Sequence, residues 1–314
     1  MKYLIIDKRQ RVKTENELPY ASLRITEELK KKNLEFDFAY LDQIEIIFKN
    51  KKLKILVNGV DPLEYSHIIF RGHSLGENRG YETKVLITDY IEQSNATLGK
   101  EATKVQNALA VKNLPFYDKI WMAWICAKNS IPFFETYYRA NGAYAMKRDF
   151  LENYPLIIKH YTGENDMRKV DGEEKIKKNV YKLENKDELR QEYLKEKNLK
   201  DFFIQEFSDQ AEDMRIFVAK NKIVGGWKRK AKNGFMTVSK GEYILYNNPN
   251  PEIAQLAIKT SKAFKADFIA TDFMFKDGKP YLQEISFHPG FKAYEEKAKG
   301  GKPANIAKAI IESF

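Results

Sequence analysis

The densest pattern in this sequence is the stretch Asp272-Phe273-Met274-Phe275-Lys276-Asp277-Gly278-Lys279-Pro280-Tyr281-Leu282-Gln283-Glu284-Ile285-Ser286. Asp277-Gly278 is a hairpin turn signal, and apolar residues alternate on both sides of it. The stretch therefore predicts two antiparallel strands. Pairing of these strands would bring Asp272 and Glu284 towards the same end of the hairpin, so that two carboxylates from adjacent strands meet.

Two carboxylates at a strand end have two interpretations. They are either exposed strand-end charges or ligands for a hard cation such as Mg²⁺, which prefers oxygen donors. Apolar residues flank both carboxylates, and the rigid turn Phe287-His288-Pro289-Gly290 follows closely. We interpret Asp272, Glu284 and Ser286 as a candidate ligand set for Mg²⁺ or Mn²⁺, and metal ions held there could bridge phosphate oxygens.

Composition sets the broad class of the protein. The chain has 314 residues, of which 43% are hydrophobic, and this is enough to bury a core and to exclude global disorder. Lys and Arg number 54 against 44 Asp and Glu, so the net charge of +10 indicates an anionic ligand or partner: nucleic acid, a membrane surface or a nucleotide. The sequence has no uninterrupted apolar run long enough for a transmembrane helix, and Cys126 is its single cysteine. We therefore expect a cytoplasmic protein that does not act in a membrane.

Strand and helix patterns alternate along the chain. Tyr3–Ile6 and His67–Phe70 predict short strands, and Tyr20–Lys32 predicts an amphipathic helix between them. The dense mixture of Lys and Glu in Asp171–Lys200 predicts a solvated loop and helix surface. The alternation of strands and helices predicts a leading α/β domain of about a hundred residues.

Cations stand at the ends of several predicted strands. Lys159 ends one apolar strand and Arg215 begins another, and each would face either solvent or an anion. The run from Lys220 to Lys232 holds six cations and no acid. Within it, Lys228 closely follows Gly225-Gly226, where the backbone can approach a ligand. A solvated surface is the alternative for this run.

Several common chemistries are missing from the sequence. The four histidines lack paired zinc-ligand spacing, and there is no nucleophile elbow, P-loop or dinucleotide-binding motif. The triplet Arg71-Gly72-His73 follows a predicted strand, where its Arg and His could hold an acidic substrate or simply form a turn. Arg79 is a further candidate for contacting a substrate.

A series of short motifs occurs in one order between Asn113 and Glu295. They are Asp118-Lys119, Pro155-Leu156-Ile157-Ile158-Lys159, Ile204-Gln205-Glu206-Phe207, Asp213-Met214-Arg215-Ile216-Phe217-Val218, Asp272, and Glu284-Ile285-Ser286 with Pro289-Gly290. Their order and spacing together resemble the ATP-grasp superfamily, and within it the RimK-type and glutathione-synthetase-type ligases. The resemblance implies an α/β protein whose two lobes clasp ATP, preceded by a pre-ATP-grasp α/β domain. The implied boundaries are residues 1–105 for the leading domain, 106–200 for the N-terminal lobe and 201–314 for the C-terminal lobe with the metal site.

The same resemblance implies an ATP-dependent carboxylate–amine ligase. In that family, ATP phosphorylates a substrate carboxylate, and an amine attacks the acyl phosphate to form an amide. The implied cofactors are ATP and Mg²⁺ or Mn²⁺, and the implied substrates are an amino acid or peptide carboxylate and an amine. Arg71, His73 and Arg79 are the candidates for contacting these substrates. Phosphoryl transfer needs positioning and charge neutralisation, which the cations and carboxylates of this sequence offer without a protein nucleophile.

Roles in binding ATP follow from the resemblance. Lys119 and Lys159 would contact the phosphates and the adenine side of the cleft, with Lys228 as a further cation for the polyphosphate. Gln205-Glu206-Phe207 would form the strand that hydrogen-bonds adenine. Asp213 would lie near the ribose.

The resemblance also implies the catalytic and metal-binding residues. Arg215 would stabilise the transferred phosphoryl group, and Asp272 and Glu284 would hold magnesium with Ser286. The family usually has Asn at the position of Ser286. The glycine-rich loop is also reduced here to the single Gly163.

Two other functions stay open at the level of the sequence. A divergent ATP-binding protein with weak or no ligase activity would accord with Ser286 and the reduced loop. A nucleic-acid-binding protein would accord with the positive charge and with Trp227 inside the Lys220–Lys232 run, although no nucleic-acid reader motif is present. Association of the chain with copies of itself as a homo-oligomer also stays open.

Overall fold

The computed structural model describes residues 1–9, 18–72, 78–99, 103–140, 153–161, 165–170, 173–178, 180–189, 199–209, 212–231 and 241–314. Helices and strands alternate through these residues, which confirms the α/β class. The domain boundaries at 105/106 and 200/201 stay a prediction.

A parallel sheet opens the fold. Its strands are β1 (Lys2–Asp7), β2 (Glu35–Tyr40), β5 (His67–Phe70) and β6 (Lys104–Val105). They lie in the order β2-β1-β5-β6, and all neighbours are parallel. Helix α1 (Tyr20–Lys31) connects β1 to β2, and α2 (Asn78–Leu98) follows β5. Because the strands are parallel, the carboxyl ends of β1 and β5 meet at one edge of the sheet.

A separate hairpin belongs to this N-terminal part. Strands β3 (Ile44–Lys49) and β4 (Lys52–Val57) pair antiparallel. The turn residues Asn50 and Lys51 have φ of 52° and 60°, as a two-residue type I′ turn requires. On the inner face of the hairpin, Ile55 is buried in the core beneath the parallel sheet.

A second sheet is antiparallel and follows in the middle of the chain. Its strands are β7 (Thr136–Tyr137), β8 (Leu156–His160), β11 (Val180–Leu183) and β12 (Phe202–Glu206), in the order β11-β8-β12-β7. Strands β9 (Asn165–Val170) and β10 (Glu173–Lys178) lie between β8 and β11 in the sequence and pair antiparallel with each other. The expected loop and helix surface over Asp171–Lys200 is therefore wrong for β10 and β11. Pairing of their backbones with β9 and β8 outweighs the highly charged composition.

The third sheet contains the predicted hairpin Asp272–Ser286. Its strands are β13 (Glu212–Ala219), β14 (Lys222–Ala231), β15 (Gly241–Leu245), β16 (Phe268–Lys276) and β17 (Lys279–Ser286). They are antiparallel in the order β15-β14-β13-β16-β17. The predicted hairpin is confirmed, because Asp277 and Gly278 have φ of 51° and 73° in the turn between β16 and β17.

Both faces of the third sheet are covered by other elements. Further α-helices are α3 (Ala108–Asn113), α4 (Lys119–Lys128), α5 (Pro251–Ala263), α6 (Lys292–Glu296) and α7 (Ile306–Ile311). Ile216 of β13 packs in a core with residues of α3, α4 and α5. The next residue, Phe217, packs on the opposite face with residues of β1, α1 and α7. The face that carries Phe217 is thus covered by β1, α1 and α7 around Phe217. Arg215 and Asp272 lie on the same face but outside the covered part.

Candidate active site

A β-bulge decides which way the carboxylate of Glu284 faces. Asp272 is paired with Glu284, but the next residue, Phe273, is paired with Leu282, so Gln283 is the extra residue of the bulge. Leu282 and Ile285 can therefore both enter the buried core. Glu284 is placed on the opposite face of the sheet, across from Asp272.

Two further residues share this face. Ser286 is paired with Ala270, which lies two residues before Asp272 and so on the same face. Arg215 of β13 is paired with Asp272 from the other side. Strand register therefore gathers Arg215, Asp272, Glu284 and Ser286 on one face of the sheet.

Arg215 and Asp272 form a bidentate ion pair. Nε of Arg215 donates to Oδ1 of Asp272 at 2.7 Å, and Nη2 donates to Oδ2 at 2.6 Å. Nη1 donates to the carbonyl oxygen of Gly290 at 3.3 Å. Burial lowers the pKa of Arg215, but the Asp272 carboxylate more than offsets this and holds the pKa above its ordinary value. Arg215 is therefore a fixed cation that points at the turn following β17.

Lys119 brings a second cation to the same face. Its Nζ lies 3.1 Å from Oε2 of Glu284. The backbone positions it: Asp118 caps α4 by accepting a hydrogen bond from the Trp121 amide at 2.8 Å, and the Lys119 amide donates to the Tyr161 carbonyl at 2.9 Å. Burial raises the pKa of Glu284, but the charges of Lys119, Arg215 and Lys159 outweigh it, so the pKa is lowered and Glu284 is ionised at neutral pH.

Lys159 reaches the site from the second sheet. Its Nζ donates to Oε1 of Gln205 at 2.8 Å, and Nε2 of Gln205 donates to Oγ1 of Thr136 at 3.1 Å. Glu206 follows on the same strand, and its carboxylate accepts a hydrogen bond from Nζ of Lys276 in β16. The Lys276 pair therefore links the second sheet to the third, and the predicted adenine-binding strand lies at this junction.

The neighbouring predicted residues lie on the same two sheets. The Phe207 ring has Nζ of Lys182 4.4 Å from its centroid. Asp213 is paired through both carboxylate oxygens with Arg229, whose Nε lies 3.0 Å from Oδ1. Burial raises the pKa of Asp213 above its ordinary value, and the Arg229 hydrogen bond only partly offsets this.

Arg229 is a residue that the sequence analysis did not select. It is paired with Asp213, two positions along from the Arg215–Trp227 pair, so it lies on the face that carries Arg215. The Trp227 ring lies between the two arginines, with guanidinium carbons 5.6 Å and 5.5 Å from its centroid. Arg229 lies two residues after Trp227, the cross-strand partner of Arg215, and residues two apart on a strand share a face. This alternation would have indicated Arg229.

Lys228, which was selected, alternates to the other face of β14. It is paired with Met214, whose side chain lies in the opposite core. Its Nζ lies 3.6 Å from Oε1 of Glu212 and 4.2 Å from the centroid of the Tyr246 ring. The structure thus separates Lys228 from the face of Asp272, and its contact with ATP stays a prediction.

A second charged cluster lies where the parallel sheet meets the turn after β17. Arg71 is 5% exposed, and its Nη2 donates to the Pro289 carbonyl at 2.7 Å. Nε and Nη1 of Arg71 are buried and have no hydrogen-bond partner among the described residues. Burial lowers the pKa of Arg71 to about 10, although the charge of Asp7 opposes the change. Lys84 is fully buried nearby, with Nζ 3.4 Å from Nε2 of His288.

Asp7 is the acid of this cluster. Its carboxylate accepts a hydrogen bond from the Ser22 hydroxyl at 2.5 Å and from the Lys8 amide at 2.7 Å. Burial raises the pKa of Asp7, and the charges of Arg71 and Lys84 oppose the change. Arg71 was predicted from the sequence, whereas Asp7 and Lys84 were not, because nothing in the local sequence marks them as neighbours of Arg71.

The other two substrate candidates are placed only in part. His73 lies outside the described residues. Arg79 lies in the first turn of α2, and its side chain is outside the described part of the structure. The Gly163 loop and Lys232 also lie outside the described residues.

The donor set on the sheet face fits a hard divalent cation. Asp272, Glu284 and Ser286 supply only oxygen atoms, and Mg²⁺ commonly takes one or two protein carboxylates together with substrate phosphates. Among the described residues there is no group of three or more His, Cys, Asp or Glu side chains suited to a metal ion. Phosphate oxygens would therefore have to complete the ligand set. No helix in the described residues is long and apolar enough to cross a membrane.

This fold and site define an ATP-grasp protein. Residues 117–314 match the model of the RimK-like ATP-grasp domain, which covers more than half of the chain. The chain belongs to the RimK-like ATP-grasp family. The predicted ATP-grasp fold and RimK-type resemblance are confirmed.

Curated relatives and solved structures agree with this assignment. The chain is 29% identical over 157 residues to the coenzyme gamma-F420-2:alpha-L-glutamate ligase of Methanococcus maripaludis, covering 48% of this chain and 52% of the relative. It is 27% identical over 203 residues to the ligase of the same name from Methanocaldococcus jannaschii, covering 62% and 65%. The chain thus matches between half and two-thirds of the length of these curated relatives.

The solved structures share the fold along nearly the whole chain. The ATP-grasp ligase PsnB, complexed with minimal precursor, Mg and ADP, has a TM-score of 0.65 at 13% identity, covering 99% of this chain and 96% of that one. The D-alanine–D-alanine ligase of Bacillus anthracis complexed with ATP has a TM-score of 0.58 at 16% identity, covering 93% and 88%. At these identities the likeness concerns the fold.

Proposed function

We propose that this chain is an ATP-dependent carboxylate–amine ligase that acts on an amino acid or peptide. The observation that carries the proposal is the sheet face on which Asp272, Glu284 and Ser286 lie beside Arg215, with Lys119 bound to Glu284. Carboxylate and hydroxyl oxygens there suit a metal–phosphate complex, and the adjacent cations suit a charged phosphoryl group. Membership of the RimK-like ATP-grasp family supports the same function.

The first half-reaction transfers the γ-phosphoryl group of ATP. A substrate carboxylate oxygen bonds to the γ-phosphorus, the bond to the β-phosphate oxygen breaks, and ADP leaves. Charge is spread over the transferred phosphoryl oxygens during this step, so catalysis depends on positioning and charge neutralisation. Arg215 supplies a cation that Asp272 and the Gly290 carbonyl hold in one orientation, and Lys119 supplies a second.

The second half-reaction forms the amide. The amine nitrogen attacks the acyl carbon, the carbon–oxygen bond to phosphate breaks, and the nitrogen loses a proton as phosphate leaves. Arg215 and Lys119 would stabilise the departing phosphate in the same positions. No protein nucleophile takes part in either step.

ATP would lie between the second and third sheets. Lys159, Gln205, Glu206 and Phe207 are proposed to contact the nucleotide from the second sheet, and Asp213 from the third. Lys228, on the opposite face of β14, is expected to contribute least of the predicted ATP-binding residues. Mg²⁺ or Mn²⁺, when bound by Asp272, Glu284 and Ser286, would supply charge neutralisation for the phosphates.

The cluster around Arg71 is proposed to bind a substrate carboxylate, with His73 and Arg79 as further substrate contacts. Arg71 forms no ion pair with any described residue, and two of its three guanidinium nitrogens lack a hydrogen-bond partner. A buried cation in this state is costly unless an anion accompanies it. Arg71 and Arg215 donate to consecutive carbonyls, at Pro289 and Gly290, so the carboxylate would lie next to the reacting groups.

Glutamate is the amino acid proposed for this carboxylate site. The two curated relatives carry glutamate in their names. A dicarboxylic amino acid can place one carboxylate against Arg71 and Lys84 while its other groups reach the site of transfer.

The ligase proposal is tested by phosphate release from Mg·ATP with pooled amino acids and peptides. Asp272→Asn combined with Glu284→Gln should abolish release, because the metal–phosphate complex loses both carboxylates. Asp277→Asn is the matched control: it makes the same change of carboxylate to amide in the turn of the same hairpin, and Asn tolerates the positive φ there. Undiminished phosphate release by the double variant would contradict the assignment of Asp272 and Glu284 as metal ligands.

The carboxylate site is tested by calorimetric titration of L-glutamate and L-glutamine in the presence of Mg·ADP. The protein should prefer glutamate by at least about tenfold, and Arg71→Met should remove the preference while ADP affinity is unchanged. Arg9→Met is the control, since Arg9 follows β1 near the same sheet edge but is exposed and paired with Asp42. A glutamate preference that survives Arg71→Met would contradict the assignment.

A nucleotide-binding protein with little or no turnover is the second candidate. One observation favours it: Arg215 and Lys119 already engage both candidate metal-binding carboxylates. Tight ATP binding without phosphate release across the acid and amine panel would establish it.

A cytoplasmic location is part of the proposal. Cys126 is buried, and burial raises the pKa of its thiol to about 12, so this cysteine is an unreactive core residue. A chain without a disulfide suits a reducing compartment. Fractionation of cells that express the protein tests the location.

A further inference from the structure

An apolar strand edge is exposed at β3. Ile46, Ile47 and Phe48 are 37%, 38% and 75% exposed, and the charged residues Glu45 and Lys49 beside them are also exposed. Strand β4 covers one edge of β3, and no strand pairs with the other edge in the described part of the chain. Proteins usually shorten, charge or cover such an edge, because it is a template for pairing with another strand.

The hairpin turn determines which backbone groups are open. Lys49 and Lys52 close the two-residue turn and form a hydrogen-bonded pair, so Ile47 and Glu45 also direct their backbone groups towards β4. The alternate residues Ile44, Ile46 and Phe48 direct their N–H and C=O groups to the outer edge. A partner strand must therefore pair with these three residues.

We propose that two copies of this chain associate by antiparallel pairing of β3 with β3 about Ile47. Ile46 and Phe48 of one copy then lie opposite Phe48 and Ile46 of the other, and both belong to the outward-bonding set. The two hairpins become one continuous four-stranded sheet. Apolar side chains that are exposed in a single copy would pack across the two-fold axis.

Charge selects this register and this partner. With Ile47 opposite Ile47, each Glu45 lies directly across from Lys49 of the other copy, which gives two ion pairs. Neither Glu45 nor Lys49 forms an ion pair within the described residues. Moving the axis to Ile46 would place Glu45 opposite Ile47 and Lys49 opposite Gln43, and both pairs would be lost. The strand is thus complementary to itself in one register.

The oligomeric state of the full chain tests the proposal. Light scattering after size exclusion and sedimentation velocity should show a concentration-dependent dimer. Lys49→Glu and Glu45→Lys should each weaken the dimer by about tenfold or more, because each sets like charges across the axis twice. The double variant Glu45→Lys/Lys49→Glu should restore wild-type dimerisation. Lys31→Glu, which alters a lysine of α1, is the control and should leave the dimer unchanged.

Disulfide trapping tests the register itself. Non-hydrogen-bonded pairs in antiparallel sheets have Cα atoms about 4.5 Å apart, within the range of a disulfide. Ile47→Cys should therefore form a covalent dimer under mild oxidation, because position 47 of one copy faces position 47 of the other. Glu45→Cys should not, because position 45 of each copy faces Lys49 of the other. The native Cys126 is buried and should not contribute.

Three results would overturn the proposal: a monomer at every concentration, a double variant that stays dissociated, or equal trapping of the two cysteine variants. Binding of a different protein to β3 with the wild-type chain still monomeric would also reject the second copy as the partner. These outcomes do not depend on nucleotide or ligase activity.

Discussion

A half-buried arginine, Arg215, and a buried one, Arg71, contact the same turn and have opposite environments. Arg215, on the third sheet, is held by both oxygens of Asp272, and its pKa is raised. Arg71, at the edge of the parallel sheet, has one carbonyl partner, and burial lowers its pKa to about 10. The difference is that Arg215 has a carboxylate partner, whereas Arg71 has none among the described residues. We relate the first to phosphoryl transfer and the second to substrate recognition.

The largest effect on stability and activity is expected from breaking the Arg215–Asp272 ion pair. Arg215→Met leaves the half-buried Asp272 carboxylate without its cation, which should lower the unfolding free energy by less than the roughly 3–5 kcal/mol typical of fully buried pairs. Phosphate release should fall by about 10²–10³-fold, as when a preorganised charge is removed from a transition state. Denaturant unfolding and the phosphate-release assay measure the two effects.

The double variant Arg215→Met/Asp272→Leu is the control for this change. It removes both charges, so it should recover part of the lost stability but none of the activity. Recovery of activity in the double variant would contradict the role of Arg215.

A smaller effect is expected at the edge of the parallel sheet. A Cβ at Gly72 would lie 2.0 Å from the backbone nitrogen of Lys8 and 2.4 Å from Oδ1 of Asp7. Gly72→Ala must therefore shift the strand end that carries Arg71, at a cost of about 1–3 kcal/mol in unfolding free energy. Gly290→Ala is the control, because its Cβ would have open space within 4 Å. Equal stability of the two variants would show that Gly72 is not tightly packed against Asp7 and Lys8.

The unfolding free energy is expected to depend on pH through Glu284. Because its pKa is lowered from 4.5 in the folded protein, the charged Glu284 stabilises the fold above this pH. That contribution should be lost as pH falls through the lowered folded-state value. The unfolding free energies of the wild type and Glu284→Gln should therefore converge in acid. In a Lys119→Met background the convergence should be weaker, since Lys119 is the strongest charge acting on Glu284.

The smallest effect is expected at Lys228. Its side chain is on the other face of β14 from Asp272, so Lys228→Met should change the KM for ATP by less than about threefold. Arg229→Met should raise it more, because Asp213 would lose its cation. A larger effect at Lys228 than at Arg229 would mean that ATP contacts the opposite face.

The hairpin shows how far local sequence reasoning reaches. Asp277-Gly278 and the flanking alternation predicted β16, β17 and the approach of Asp272 and Glu284 at one end of the hairpin, because a two-residue turn brings its flanking strands together. The register set by the turn alone would pair Asp272 with Gln283, and the bulge shifts this pairing to Glu284. Strict alternation from Leu282 would nevertheless place Glu284 in the core. The bulge at Gln283 prevents this, because Leu282 and Ile285 can both be buried only if the strand shifts its alternation between them.

The sequence by itself determined the α/β class, the family motifs and the residue types for phosphate and metal chemistry, because short-range periodicity and ordered motifs encode them. Only the tertiary structure brought Lys84 to His288, 204 residues apart, and set Arg229 rather than Lys228 beside Asp213. Such neighbours depend on how the sheets pack and on which face each strand buries. These are properties of contacts distant in sequence, and no local pattern records them.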